Sequence, residues 1–172
     1  ISWCLRRYIN MSNVLSVFTE KYTERKRKIK NSVIAINSIT KLTMPAIALW
    51  DTGATGTCIS KDLAQRLRLQ PIGMQQIQTP SGKAIVNQYK MHIVLNNEII
   101  IPDVSVIDSE IGNQNIDILI GMDIITLGDF GISNYEDRTQ FSFRLPSQEH
   151  VDYREFPLHI EYFDKTQEKE QD

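Results

Sequence analysis

The sequence predicts a mainly β domain over residues 32–146, on three observations. Short runs of β-branched and aliphatic residues recur from Ser32 onward. Clusters of Gly, Pro, Asn and Ser separate those runs. Only one segment in between carries good helical spacing, a balance that suits a sheet system with one or two short helices.

The elements follow in order. Val33-Ile34-Ala35-Ile36 reads as the first strand and Met44 to Trp50 as the second, ending immediately before Asp51. Ser60 is placed to cap a helix whose apolar face is Leu63, Ala64 and Leu67, with Pro71 barring its continuation. Gln75–Gln78 and Ala84–Tyr89 read as the arms of a hairpin around Pro80, Ser81 and Gly82. Asn96-Asn97 signals a second hairpin between Met91–Leu95 and Glu98–Ile101. Val104–Ile107 and Ile116–Ile120 add strands, Asp123 is placed to cap a short helix, and Phe130–Ser133 with Phe141–Arg144 are expected to close the sheet.

The flanks read differently. Residues 1–31 are expected to be an extension, partly helical or flexible, with Leu5, Tyr8 and Ile9 along one side of a short helix over 1–18. The run Glu24-Arg25-Lys26-Arg27-Lys28-Ile29-Lys30 can in principle bind nucleic acid or act as an address, but reads better as a solvated linker or helix face. Residues 147–172 form a C-terminal extension with one further strand at Leu158–Tyr162 and frayed residues from Asp164.

Composition narrows the function. Nineteen basic and twenty-one acidic residues leave a formal charge of -2, which favours neither nucleic acid nor an anionic membrane as partner. Two distant cysteines, Cys4 and Cys58, form no disulfide framework, so a reducing, cytoplasmic setting is expected. No apolar run reaches membrane-spanning length, and the N-terminus lacks the continuous apolar core of a signal peptide.

The strongest local signal is Asp51-Thr52-Gly53-Ala54-Thr55. An apolar strand delivers a carboxylate into a turn that starts with a hydroxyl and a glycine. Gly53 permits a tight bend and a close approach to the carboxylate, and Thr52 supplies a hydroxyl to fix a neighbouring group. A second signal, Ile118-Leu119-Ile120-Gly121, ends 70 residues after Asp51 and suits a buried strand passing under another loop. Alone it reads as ordinary core; the pair is more telling.

Strand, Asp-Thr-Gly-Ala, helix, hairpin, strands, apolar-apolar-Gly and short helix, in that order, resemble the retropepsin family of aspartic proteases over about two-thirds of the chain. The resemblance implies a closed, barrel-like acid-protease fold and a homodimeric aspartic endopeptidase without cofactor or metal, acting on protein or peptide substrates. Asp51 would be the catalytic residue. Thr52 would brace the two subunits' loops, Gly53 and, more weakly, Ala54 would help hold the substrate backbone, and Ile118, Leu119, Ile120 and Gly121 would pack beneath the loop. Gln75–Tyr89 would form the flap, with Thr79, Pro80, Ser81, Gly82 and Lys83 at its tip over substrate. Ile85 and Val86 would favour apolar or extended peptides.

The chain departs from the retroviral pattern in carrying Thr55 where an acid is usual and Met122 where an arginine is usual. Losing both members of that pair points to a cellular branch of the family. The flap tip has one glycine and a proline, and Trp50 replaces an aliphatic residue; strand alternation turns Trp50 away from Asp51, toward a packing role.

One aspartate implies two chains. Peptide hydrolysis by this chemistry needs two carboxylates sharing a proton, one activating water and the other polarising the scissile carbonyl. The chain holds one Asp-Thr-Gly and no Asp-Ser-Gly, so the second carboxylate is expected from a twofold-related Asp51. Competing readings fare worse. Asp129-Phe130-Gly131 mimics a kinase triplet without the remaining kinase motifs. The Asp51–Thr57 run resembles phosphate loops of much larger nucleotide-clasping folds. His92, His150 and His159 show no ligand spacing with one another or with the cysteines, and Cys58 reads as a small buried residue. The serious alternative is a silent module of the same fold that binds peptides or dimerises without cutting.

Overall fold

The computed structural model describes residues 15–79, 82–96, 99–112, 115–152 and 154. The expected helix over most of its length, the hairpin residues Pro80 and Ser81, the turn residue Asn97 and the strand and fraying after residue 157 lie outside them. Within them run β1 (Ser16–Lys21), β2 (Ile29–Asn37), β3 (Thr43–Trp50), β4 (Cys58–Ser60), α1 (Lys61–Arg66), β5 (Gly73–Thr79), β6 (Gly82–Val94), β7 (Ile100–Ser109), β8 (Ile118–Ile120), α2 (Met122–Ile125), β9 (Asp129–Tyr135) and β10 (Arg138–Leu145).

The protein is mainly β, as its sequence predicts. One sheet runs β2-β3-β8-β4-β7-β6-β5, and a further pairing joins β2 to β6. Six strands thereby close on themselves, and β5 hangs outside the ring as the partner of β6. Closure removes the unpaired edges that an open sheet would expose. The alternation in β2 turns Ile29, Asn31, Val33, Ala35 and Asn37 inward. Opposite them, small Ala46 and Ala48 leave room for Met91, Ile93, Ile118 and Ile120, all fully buried.

Two expected hairpins merge. β6 is one 13-residue strand, and β7 runs through Pro102 and Asp103 instead of restarting at Val104. The register shifts between Met91 and Ile93, and Asp103 takes a φ of 48°. That bulge absorbs residues that look like breakers in sequence. It is held by the Asp103 amide, which donates to His92 Nδ1 at 3.0 Å.

The last hairpin does not close the main sheet. β9 and β10 form a separate three-stranded sheet with β1, in the order β1-β10-β9. Residues 16–18, read as helix, therefore belong to a strand, paired Ser16↔Leu145 to Phe18↔Phe143. Apolar packing drives this: Phe18, Phe141 and Phe143 are buried against Trp50 and Phe130. Trp50 lies with its ring centre 5.0 Å from those of both Phe141 and Phe143. Its indole Nε1 donates to buried Asn31 Oδ1 at 2.8 Å, so its expected role in packing holds.

The helices are short. Ser60 Oγ accepts from the Leu63 amide at 3.1 Å, the expected cap, and Leu63, Ala64 and Leu67 are buried. α1 stops where Arg68 turns left-handed with φ 52°, ahead of Pro71. At α2 the N-cap is Gly121, and Asp123 lies inside the first turn, correcting the expected cap. Among the described residues no helix is long and apolar enough to cross a membrane.

The aromatic cluster joins the two sheets. Phe141→Ala is expected to cost about 3–5 kcal/mol, because a fully buried ring would leave a cavity against Trp50 and Phe18. Urea unfolding followed by tryptophan fluorescence measures the loss.

Candidate active site

Asp51 leaves β3 where Trp50 pairs in parallel with Ile120 of β8. Its amide continues that ladder by donating to Ile120 O at 2.9 Å. The Ala54 amide donates back to Asp51 O at 3.2 Å, which closes a tight turn. The Gly53 amide donates to Asp51 Oδ1 at 2.8 Å and so orients the carboxylate. A Cβ on Gly53 would stand 3.1 Å from that oxygen, crowding the bond.

The loop is held from beneath. Met122 and Asp123 amides at the start of α2 donate to Ala54 O and Thr55 O, at 2.8 Å and 3.2 Å. A Cβ on Gly121 would lie 2.6 Å from both the carbonyl carbon and oxygen of Gly56, and 3.0 Å from Ala54 O. Real Cβ atoms do not come so close, so only glycine lets β8 run this near the loop. In β8, Ile118 and Ile120 are buried and Leu119 is half-buried.

Sequence reasoning missed a clamp across the same contact. Buried Thr57 donates from Oγ1 to Asp123 Oδ1 at 2.8 Å, and its amide donates to Asp123 Oδ2 at 3.0 Å. Its Oγ1 also accepts from the Gly121 amide at 3.2 Å. The one available signal was a hydroxyl residue six positions after Asp51, paired with an acid two after Gly121. Nothing local in the sequence says that the two meet.

Asp51 is half-buried, while Thr52 and Gly53 are exposed. Beside them lies an open cavity of about 340 Å³, bounded by Trp50, Asp51, Phe130 and Ile132 and by the cations Arg27 and Lys28. No described residue of the β5–β6 hairpin lines it. That hairpin pairs Thr79 with Gly82 and Gln78 with Lys83, and Gly82 takes a φ of 120°, a conformation that favours glycine. Its base is anchored by buried Asp108, whose carboxylate accepts from the Asn87 amide, Asn87 Nδ2 and the Tyr89 hydroxyl at 3.0, 2.9 and 3.2 Å. Burial, and then the charge of Asp108, push the Tyr89 hydroxyl above its ordinary pKa.

Other titratable groups have structural surroundings. Burial pushes the Cys58 thiol up to about 11. Burial and then the Lys41 ammonium hold His92 below the usual imidazole value. Asp129 is tied to Ser147, the Gln148 amide and Arg144, and these bonds hold its carboxyl below the usual range. Among the described residues no three His, Cys, Asp or Glu side chains gather as metal ligands.

A family model described as gag-polyprotein putative aspartyl protease matches residues 38–126, which include Asp51 and Gly121. No curated protein matches the chain. Among solved structures it is similar to a retropepsin-like aspartic protease from Rickettsia conorii, at 17% identity over 77% of this chain and 96% of that one, with a TM-score of 0.48. It is also similar to the Simian Foamy Virus (mac) protease, at 21% identity over 54% of this chain and 89% of that one, with a TM-score of 0.37.

Two outcomes follow from the packing. Gly121→Ala forces Gly56 away and is expected to destabilise the fold by about 1–3 kcal/mol, with NMR amide shifts concentrated in residues 51–57. Cys58 in the native chain is expected to react with iodoacetamide at pH 8 about a hundredfold more slowly than in the unfolded chain, since its thiolate fraction falls with the raised pKa. Peptide mapping by mass spectrometry reads that ratio.

Proposed function

Because the chain belongs to the gag-polyprotein putative aspartyl protease family, we propose that it is an aspartic endopeptidase whose catalytic carboxylate is Asp51. The observation that carries this reading is the Asp51 turn itself. Its carboxylate is oriented by the Gly53 amide, and the backbone behind it is braced by β8 and α2. A carboxylate fixed in this way at the edge of an open cavity suits general acid–base work on a bound peptide.

The chemistry needs a second carboxylate, and a twofold copy of Asp51 supplies it most simply. Two such groups in contact hold one proton between them, because like charges at that distance do not both ionise readily. The ionised Asp51 takes a proton from water as the water oxygen bonds to the scissile carbonyl carbon. The protonated one hydrogen-bonds the carbonyl oxygen and stabilises its developing charge. Return of a proton to the amide nitrogen then releases the amine as the C–N bond breaks.

Thr52, exposed at the turn, is available to brace the partner's loop; Gly53 and Ala54 would hold substrate backbone. The β5–β6 hairpin would close over substrate with Thr79, Pro80, Ser81, Gly82 and Lys83 at its tip, and its Asp108 anchor gives it a firm root. We take 32–146 as the core of the catalytic domain.

The purified chain and Asp51→Asn, incubated with a mixed peptide library from pH 4 to 7, test this by mass spectrometry. Cleavage by the parent and a loss of at least about a thousandfold in the variant is the expected result. A folded, dimeric parent that binds peptides and cuts none would replace the reading with a silent binding module.

A further inference from the structure

The basic run before β2 falls where a solvated linker was expected, yet two of its residues line the same open cavity as Asp51. Ile29 pairs with Trp50, so the chain enters β2 next to the point where β3 releases Asp51. Arg27 and Lys28, immediately before Ile29, consequently share the open cavity with Asp51. Arg27 is exposed and makes no ion pair among the described residues.

The setting gives these charges weight. The chain as a whole carries a formal charge of -2, so two cations in the lining of this cavity are a local feature and no reflection of a basic protein. Trp50, Phe130 and Ile132 form its apolar walls, with Ile132 itself 41% exposed. Apolar walls lower the local dielectric and strengthen a charge interaction that open solvent would weaken.

We propose that Arg27 and Lys28 are specificity-determining residues that select peptides carrying an acidic side chain close to the scissile bond. This rests on the proposed protease reading and adds to it the substrate class. An extended peptide places successive side chains about 3.3 Å apart along its axis. Its apolar side chains would lie against Phe130 and Ile132, and a nearby Glu or Asp would meet the Arg27 guanidinium, whose planar fork suits a carboxylate.

The test measures binding separately from cutting. Fluorescein-labelled decapeptides with an apolar centre, carrying Glu, Gln or Lys at each flanking position in turn, are titrated with the full-length Asp51→Asn chain and followed by anisotropy. At one or two positions Glu is expected to bind about five- to tenfold more tightly than Gln, and Lys more weakly than either, with the preference shrinking as salt rises. Adding Arg27→Ala and Lys28→Ala should abolish the preference, and Arg27→Glu with Lys28→Glu should reverse it. Equal binding of Glu and Gln peptides, or a preference that survives both sets of changes, would overturn the proposal. So would absence of peptide binding, or a double variant that weakens the dimer in sedimentation and leaves the preference intact. A parent chain that shows the acidic preference in binding but cuts nothing would uphold this inference while removing the protease reading.

Discussion

Everything near Asp51 depends on one close contact, the backbone of Gly121 against the backbone of Ala54–Gly56. A side chain at position 121 would overlap Gly56 at 2.6 Å, so its absence lets β8 and α2 approach the loop directly. Three amides from residues 121–123 then find acceptors in Thr57, Ala54 and Thr55. The loop is fixed by backbone bonds from an element 70 residues away in sequence, which explains how an exposed turn presents a carboxylate in one orientation.

The barrel makes that contact available. Its parallel pairing of β3 with β8 brings Trp50 and Ile120 side by side, so both strands reach the same end of the sheet together. On the other side, Trp50 ties Asn31 of β2 to the aromatic cluster of the three-stranded sheet. A bulky residue directly before the acid therefore couples the loop's position to the packing of the whole molecule. The same neighbourhood contains the cavity that Arg27 and Lys28 share with Asp51.

The sequence disclosed most of this where local chemistry was decisive. The strand before Asp51, the Ser60 cap and the buried face of α1 were all legible, because each follows from residue type and spacing. Long-range matters were not. Pro102-Asp103 looked like an end to a strand, and only the register shift opposite His92 shows why β7 continues. Residues 16–18 carry no strand signal strong enough to reveal a partner more than a hundred residues downstream. The Thr57–Asp123 clamp and the cavity that Arg27 shares with Asp51 likewise exist only once the barrel brings separate segments together.

The central claim is that each active site needs Asp51 from two chains. Mixing the parent with a growing excess of Asp51→Asn, under conditions where subunits exchange, tests it by the cleavage rate per parent chain. If sites form between two chains, that rate falls in proportion to the parent's share of the total, because parent chains are drawn into mixed pairs with one carboxylate. A rate per parent chain that stays constant through a large excess of the variant would show that one Asp51 suffices, and would contradict the account.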